Sequence, residues 1–300
     1  MNILVTGTNG FIGSNVASYL RKKGEYVIGL GRSKKANYEN CVDEYISCDL
    51  ATDDVYDINK NSKKKIDAIV HLAADMRKEP HCVEVVEANC GGTQRLLEFA
   101  ELNDISVFLQ LSSLPVIGHP VEHPITENHP LNPYTVYHIT KHTEEMLAEY
   151  AYQYHNLRTA SFRISAPIGK RVNEKTIFPT FVRKCLNNED IEIWGKGTRQ
   201  QNYVHVDDIA QALYKSLYND NAHGVYNLTG DLLISNIKLA QMCKEILNSK
   251  SNIVFNGKDD YMDSYVWDAS LEKIKNDINY NPSVTMEQAI KEYAEWLGEK

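Results

Sequence analysis

Tyr137 and Lys141 stand four residues apart near the start of a stretch with helical character, Tyr134 to His155. On a helix this spacing puts both side chains on one face, about 5 to 6 Å apart at Cβ. An ammonium beside a phenol favours the phenolate. The pair therefore predicts a tyrosine whose pKa is lowered from about 10 towards the range useful for proton transfer. Ser113 closes the apolar run Val107-Phe108-Leu109-Gln110-Leu111 together with Ser112, and its hydroxyl can hold the same substrate oxygen. Tyrosine and lysine often share a solvated helix face as well. The pair gains its meaning from the segments that must position it.

The first of those segments is Thr6-Gly7-Thr8-Asn9-Gly10-Phe11-Ile12-Gly13. It follows the apolar run Asn2-Ile3-Leu4-Val5 and precedes Val16, Ala17 and Leu20 at helical spacing, so it reads as a strand-to-helix turn. Such a turn aims free N–H groups, those of Phe11 and Ile12 among them, and the positive end of a helix at an anion. Gly7 makes the turn, Gly10 lets a pyrophosphate approach the backbone, and Gly13 lets the helix pack on the sheet. An ordinary glycine turn is the plainer reading. The strand before and the helix after favour a dinucleotide.

Further apolar runs follow at Tyr26 to Leu30, Tyr45 to Cys48 and Ile66 to Leu72, and a long helical stretch runs from about His81 to Leu102. Continuous apolar strands alternating with helices predict an α/β fold of Rossmann type, a doubly wound parallel sheet covered on both faces. Ligands then bind beyond the carboxyl ends of the strands. At those ends lie Gly31 with Arg32, Asp49 with Leu50, and Leu72-Ala73-Ala74 after His71. Gly31 stands where an NAD site commonly carries an acid, and Arg32 beside it suits the 2′-phosphate of NADP; a solvated basic loop is the alternative. Asp49 and Leu50 can cap an adenine, or Asp49 can cap a helix. Small residues at 72–74 admit a cofactor closely, and Asn89 near Gly91-Gly92 lies inside the next helix. Two glycines there cost roughly 2 kcal/mol of helix propensity relative to alanine, which helix packing or ligand contact must require.

Three hundred residues with 43% hydrophobic content suffice for one large domain or two lobes. A net charge of -8 without a basic run argues against nucleic acid or an anionic membrane as partner. No apolar run approaches bilayer length and Met1 leads straight into a strand, so a soluble, cytoplasmic protein is expected. Six cysteines without CxxC spacing are expected to be reduced and mostly buried, with no metal.

Taken in order, the glycine turn, His71-Leu72-Ala73-Ala74, Asn89 with Gly92-Thr93, Ser112-Ser113, Glu127, Pro133, Tyr137 with Lys141, Arg163 and Tyr203-Val204-His205-Val206-Asp207-Asp208 resemble the extended branch of the short-chain dehydrogenase/reductase family. That branch holds nucleotide-sugar epimerases, dehydratases and reductases. The resemblance implies Tyr137 as general acid/base, Lys141 lowering its pKa and binding the nicotinamide ribose, and Ser113 polarising the substrate oxygen. It implies a dinucleotide domain over 1–165 to which 203–230 returns, a substrate lobe over 166–202 and 231–300, and a homodimer. By the same analogy Phe178 lies in a segment that closes over the nucleotide base.

Departures from the family pattern narrow the expected reaction. Dehydratases of this group carry an acidic pair just after the catalytic serine or threonine, where this chain has Leu114-Pro115. An asparagine common after Arg163 is Ala166 here, and the arginine that meets the diphosphate aligns with Gln201. Arg199, two residues earlier, can replace that charge, or lie solvated on its glycine loop. The expectation is 4-epimerisation of UDP-glucose, UDP-galactose or their N-acetyl forms with NAD. The alternative is NADPH-dependent reduction of a keto sugar or small carbonyl compound. Retention of Ser113, Tyr137 and Lys141 argues against a non-catalytic cofactor sensor.

Overall fold

The computed structural model describes residues 1–76 and 82–299. Strands β1 (Asn2–Thr6), β2 (Tyr26–Gly31), β3 (Glu44–Ser47), β4 (Ala68–His71), β5 (Val107–Ser113) and β6 (Arg158–Ile164) join the strand Gly224–Leu228 in one parallel sheet. The spatial order is Gly224–Leu228, β6, β5, β4, β1, β2, β3. The chain winds outward in one direction from β1 to β3 and in the other from β4 onward, so the direction reverses between β1 and β4. In a sheet of this kind the ligand crevice lies outside the carboxyl ends of the strands at that reversal, here β1 and β4.

The alternation of strand side chains explains the two cores. Ile3 and Val5 of β1 face one side, where Val16, Ala17 and Leu20 of the first helix (Phe11–Lys22) meet Ile209 and Leu213 of the helix Val206–Leu217. Leu4 faces the other, with Ile28, Ile69, Phe108, Leu96 and Phe99. A third cluster around Phe178, Val182, Ile191, Leu239 and Tyr293 joins elements that lie outside the seven-stranded sheet. Leu114, Ile117, Ile125 and Trp267 make a fourth, under the strand-end loops. Among the described residues no helix is long and apolar enough to cross a membrane. Five of the six cysteines are buried, and all are free.

The helical stretch expected from about His81 begins at Val83, and His81 itself lies outside the described residues. It runs to Leu102 with a π turn over Glu87–Gly91. A Cβ on Gly92 would lie 2.9 Å from Cβ of Leu50, so close packing on the β3 loop requires one of the two glycines.

The helix Val136–Tyr154 buries polar and charged residues beside Ala148 and Ala151. Its buried face carries Thr140, Lys141, Glu144 and Glu145, while Ile139, Met146, Tyr150 and Tyr154 are exposed. Thr135 caps it, its hydroxyl accepting the His138 N–H at 3.1 Å. Glu145 and Arg163 form a buried two-point pair, with Nε to Oε1 at 2.9 Å and Nη2 to Oε2 at 2.8 Å. Arg163 also donates to the Glu127 carbonyl at 3.1 Å, and the Glu127 carboxylate accepts the Asn227 N–H at 2.8 Å. This chain of bonds ties the helix to β6 and to the edge strand. Glu145→Ala leaves a buried guanidinium unpaired and is expected to lower the unfolding free energy in urea by about 3–5 kcal/mol. A loss below about 1 kcal/mol would mean that Arg163 behaves like a solvated surface partner.

Candidate active site

The crevice is built on Thr6 and Gly7. The Thr6 hydroxyl oxygen accepts the N–H groups of Leu72 at 3.0 Å and Ala73 at 2.9 Å, joining the end of β1 to the chain leaving β4. Its own proton is then directed to Nδ1 of His71, 2.8 Å away. With Nδ1 accepting, the imidazole proton sits on Nε2, which donates to the Thr93 hydroxyl at 3.1 Å. Burial, with the Lys141 charge adding to it, pushes the His71 pKa down to about 3. The ring is a neutral structural link in the crevice floor.

Gly7 has φ of +73°, and a Cβ there would lie 2.9 Å from the Ala73 main chain. A Cβ on Gly13 would lie 2.1 Å from the Gly7 carbonyl oxygen. Gly10 caps the first helix and offers its first-turn N–H groups no side-chain partner. Phe11 and Ile12 in that turn are partly buried, as are Leu72 and Ala73, and Ala74 is exposed. A helix start left open in this way suits an anionic group of a dinucleotide.

Four other positions expected to be cofactor ligands, Asn89, Asp49, Leu50 and Arg32, have the following surroundings. Asn89 is buried; its Oδ1 accepts the Asp75 N–H at 2.7 Å, and its Nδ2 donates to the Asp75 carbonyl at 3.0 Å and the Thr140 hydroxyl at 2.9 Å. It braces the crevice wall instead of facing the crevice. Asp49 caps no helix: its Oδ1 accepts the Ala51 N–H at 3.0 Å within a turn, and Leu50 beside it is buried. Gly31 has a packing cause, because a Cβ would lie 2.9 Å from the Tyr45 hydroxyl. Arg32 is exposed, with the Asp75 carboxylate 4.0 Å from its guanidinium. An acid there disfavours a 2′-phosphate.

On the facing wall, the helix Val136–Tyr154 packs against β5 and the short turn that follows Ser113. This packing sets the partly exposed Ser113 and the partly buried Tyr137 on one side of the crevice, with Lys141 buried behind. The expected lowering of the Tyr137 pKa is not what the site produces. Burial pushes the phenol up, Lys141 opposes this, and Glu144 adds to the rise. Lys141 is occupied elsewhere, since its Nζ donates to Glu144 Oε2 at 2.8 Å. Burial also lowers the neighbouring His138 to about 4, with its Nδ1 2.7 Å from the Thr135 hydroxyl.

The substrate side differs most from expectation. Phe178 is 1% exposed and packs on Tyr293 with ring centroids 5.5 Å apart, inside the third hydrophobic cluster. It presents nothing to a nucleotide base. The guanidinium of Arg199 lies 3.5 Å from the Asp260 carboxylate and its buried Nε makes no hydrogen bond. Gln201 donates to the Tyr203 hydroxyl at 2.8 Å. Ala166 has φ of +37°, a left-handed conformation that asparagine tolerates better than alanine, so the bend persists without the side chain. Leu114 is fully buried in the cluster with Trp267. Glu144, Glu145 and Thr6 went unread in the sequence, and an acid three residues after Lys141 was the one signal pointing to any of them.

Comparison with known proteins adds context to this geometry. The profile of the NAD dependent epimerase/dehydratase family matches residues 3–229. The putative UDP-glucose 4-epimerase of Methanocaldococcus jannaschii is 26% identical over 305 residues, covering 98% of both chains. The dTDP-glucose 4,6-dehydratase of Streptomyces niveus is also 26% identical, over 99% of this chain and 92% of that one. The structure of Thermotoga maritima UDP-glucose 4-epimerase with UDP-glucose superposes with a TM-score of 0.89 at 23% identity, covering 100% of this chain and 99% of that one. At that identity the likeness speaks for the fold.

A neutral His71 in the folded state makes stability depend on pH. Its pKa falls from the ordinary 6.5 to about 3 on folding, so the unfolded chain binds more protons between those values. Stability is expected to fall as pH drops from about 6.5 towards 3, and His71→Asn should remove part of that slope in urea titrations. Parallel slopes for both proteins would contradict the buried neutral ring.

Proposed function

Because the chain belongs to the NAD-dependent epimerase/dehydratase family, we propose that it epimerises a UDP-sugar at C4, the sugar being glucose, galactose or an N-acetyl form. The observation that carries this reading is Leu114. The two positions after Ser113 are a fully buried leucine and a proline, so no acid stands there to eliminate water or to deprotonate a second carbon. What remains is proton and hydride exchange at one carbon.

The glycine cradle fits a dinucleotide, and NAD, when bound, supplies the hydride acceptor and donor. This chain's residues do the rest. Ser113 holds the C4 oxygen, Tyr137 takes its proton as C4 is oxidised, and the Lys141 charge stabilises the phenolate side of that exchange. The 4-keto sugar turns over about its diphosphate, and Tyr137 returns the proton once the opposite face is presented. Turning requires a firm anchor, which Arg199 provides by exchanging Asp260 for phosphate oxygens. A second reading, one-way reduction of a keto sugar or small carbonyl compound, draws support from Gln201 and Ala166 at the anchor positions. Burial also favours the protonated phenol that would donate to such a carbonyl.

The apolar stripe of Ile139, Met146, Tyr150 and Tyr154 recurs at helical spacing with Met146 61% exposed, which supports a homodimer formed through this helix.

Incubation with a panel of nucleotide sugars, followed by NMR of C4 configuration and by reduced-nicotinamide absorbance, is expected to show inversion without net cofactor consumption. Stoichiometric loss of NADPH with no inversion would establish the reductase instead. Mass spectrometry of released cofactor should find NAD. Tyr137→Phe is expected to reduce turnover by a factor of about 10² or more while cofactor stays bound; near wild-type turnover would remove Tyr137 from its role. Met146→Glu combined with Ile139→Asp should convert a dimer into a monomer in light scattering, and an unchanged mass would place the interface elsewhere.

A further inference from the structure

The buried face of the helix Val136–Tyr154 holds two acids that the proposed reaction does not employ; Glu145 is paired with Arg163, and Glu144 with Lys141. Glu144 is 1% exposed and Lys141 3%, and the 2.8 Å contact between Oε2 and Nζ is therefore closed to solvent. The second carboxylate oxygen, Oε1, is buried with no hydrogen bond. The Glu144 carbonyl accepts from Gln110 Nε2 at 2.9 Å, which fixes this part of the helix to β5.

Among the described residues the titratable groups around the pair are these. From the same helix come Tyr137 and Glu145, the latter answered by Arg163 of β6. The π turn contributes Cys90, whose thiol burial holds protonated, and β4 contributes the neutral His71. From β5 comes only the uncharged amide of Gln110. Glu144 has Lys141 as its partner and stands three residues from it, on the face that bears Tyr137 four residues the other way.

We propose that Glu144 is a positioning residue for the reaction: its carboxylate grips the Lys141 ammonium, and the state of that grip decides how strongly Lys141 draws the proton from Tyr137. The proposal rests on the roles given above to Tyr137 and Lys141. With Glu144 ionised, Tyr137 faces an ion pair whose field is weak. With Glu144 protonated, it faces an uncompensated ammonium. Burial works to lower the Lys141 pKa, and Glu144 and Tyr137 outweigh it, so the ammonium persists. Burial pushes the Glu144 carboxyl up to about 7 against the pull of Lys141, which makes Glu144 the member that changes state near neutrality. The protons on Glu144 and Tyr137 are then coupled in opposition, because each charge lost at one alters the affinity at the other.

In the NAD-loaded enzyme, Glu144→Gln keeps the size of the side chain and removes its charge. Loss of a nearby negative charge favours the phenolate, so the limb of the kcat profile that rises with pH is expected to move down by about one pH unit. A profile superimposable on the wild type overturns the proposal. A second measurement needs no change at Glu144. In NAD-bound wild type carrying 13Cζ-labelled tyrosine, the Tyr137 resonance, identified by its absence in Tyr137→Phe, is expected to shift in two steps, the first near pH 7. A single step with no movement near neutrality overturns the proposal even if the substituted protein does not fold. This titration requires no turnover, so failure of every nucleotide sugar to react would count against the proposed function and leave Glu144 judged by the resonance.

Discussion

The rest of the structure depends on how closely the ends of β1 and β4 approach each other. Thr6 makes that approach possible by satisfying two N–H groups of the chain leaving β4 with one oxygen, and Gly7 by presenting no Cβ to Ala73. The same hydroxyl donates a hydrogen bond to His71, which donates one to Thr93, so the junction also fixes the helix that follows the π turn. That helix sits against Leu50 because Gly92 leaves room for it. One hydroxyl thus sets the floor of the crevice, and the open start of the first helix supplies the field above it.

The opposite wall is organised by charge. Burying an ion costs several kcal/mol unless partners surround it, and the helix Val136–Tyr154 buries three. Glu145 is matched by Arg163, which reaches on to Glu127 and through it to Asn227, so the pair is part of a network spanning β6 and the edge strand. Lys141 and Glu144 have mainly each other. Asn89 braces the same helix from the π turn by donating to the Thr140 hydroxyl, and Thr140 in turn donates to the Tyr137 carbonyl at 2.8 Å. The phenol therefore stands on a backbone held from below by neutral hydrogen bonds and beside a charge pair with no outlet to water. Its proton affinity is set by that burial as much as by the lysine. The polar contacts occupy the inner face over Thr140 to Glu145, and Ala148 and Ala151 continue that buried face towards the end of the helix.

What the sequence by itself determined are the features that short-range spacing controls. The strand, glycine turn and helix of residues 2–23 follow from local periodicity and from the need for glycine at a positive φ, and the alternation of apolar runs was enough for a parallel sheet. Placement of Ser113, Tyr137 and Lys141 on one wall was legible because strand ends and i,i+4 pairs are local quantities. Leu114 and Pro115 were informative for a similar reason, since a missing acid is visible without coordinates. The tertiary structure decided what each side chain faces. An amphipathic helix announces an apolar face but not whether a core or a cleft receives it, and the fold put Phe178 into a buried hydrophobic cluster. Asn89 turned inward because its partners, Asp75 and Thr140, come from other segments, and Arg199 met Asp260 from a loop far along the chain. The proton affinity of Tyr137 escaped the sequence for the same physical reason. Spacing places a lysine beside the phenol, whereas solvent exclusion and the carboxylate that claims that lysine exist only once the helix has docked on the sheet.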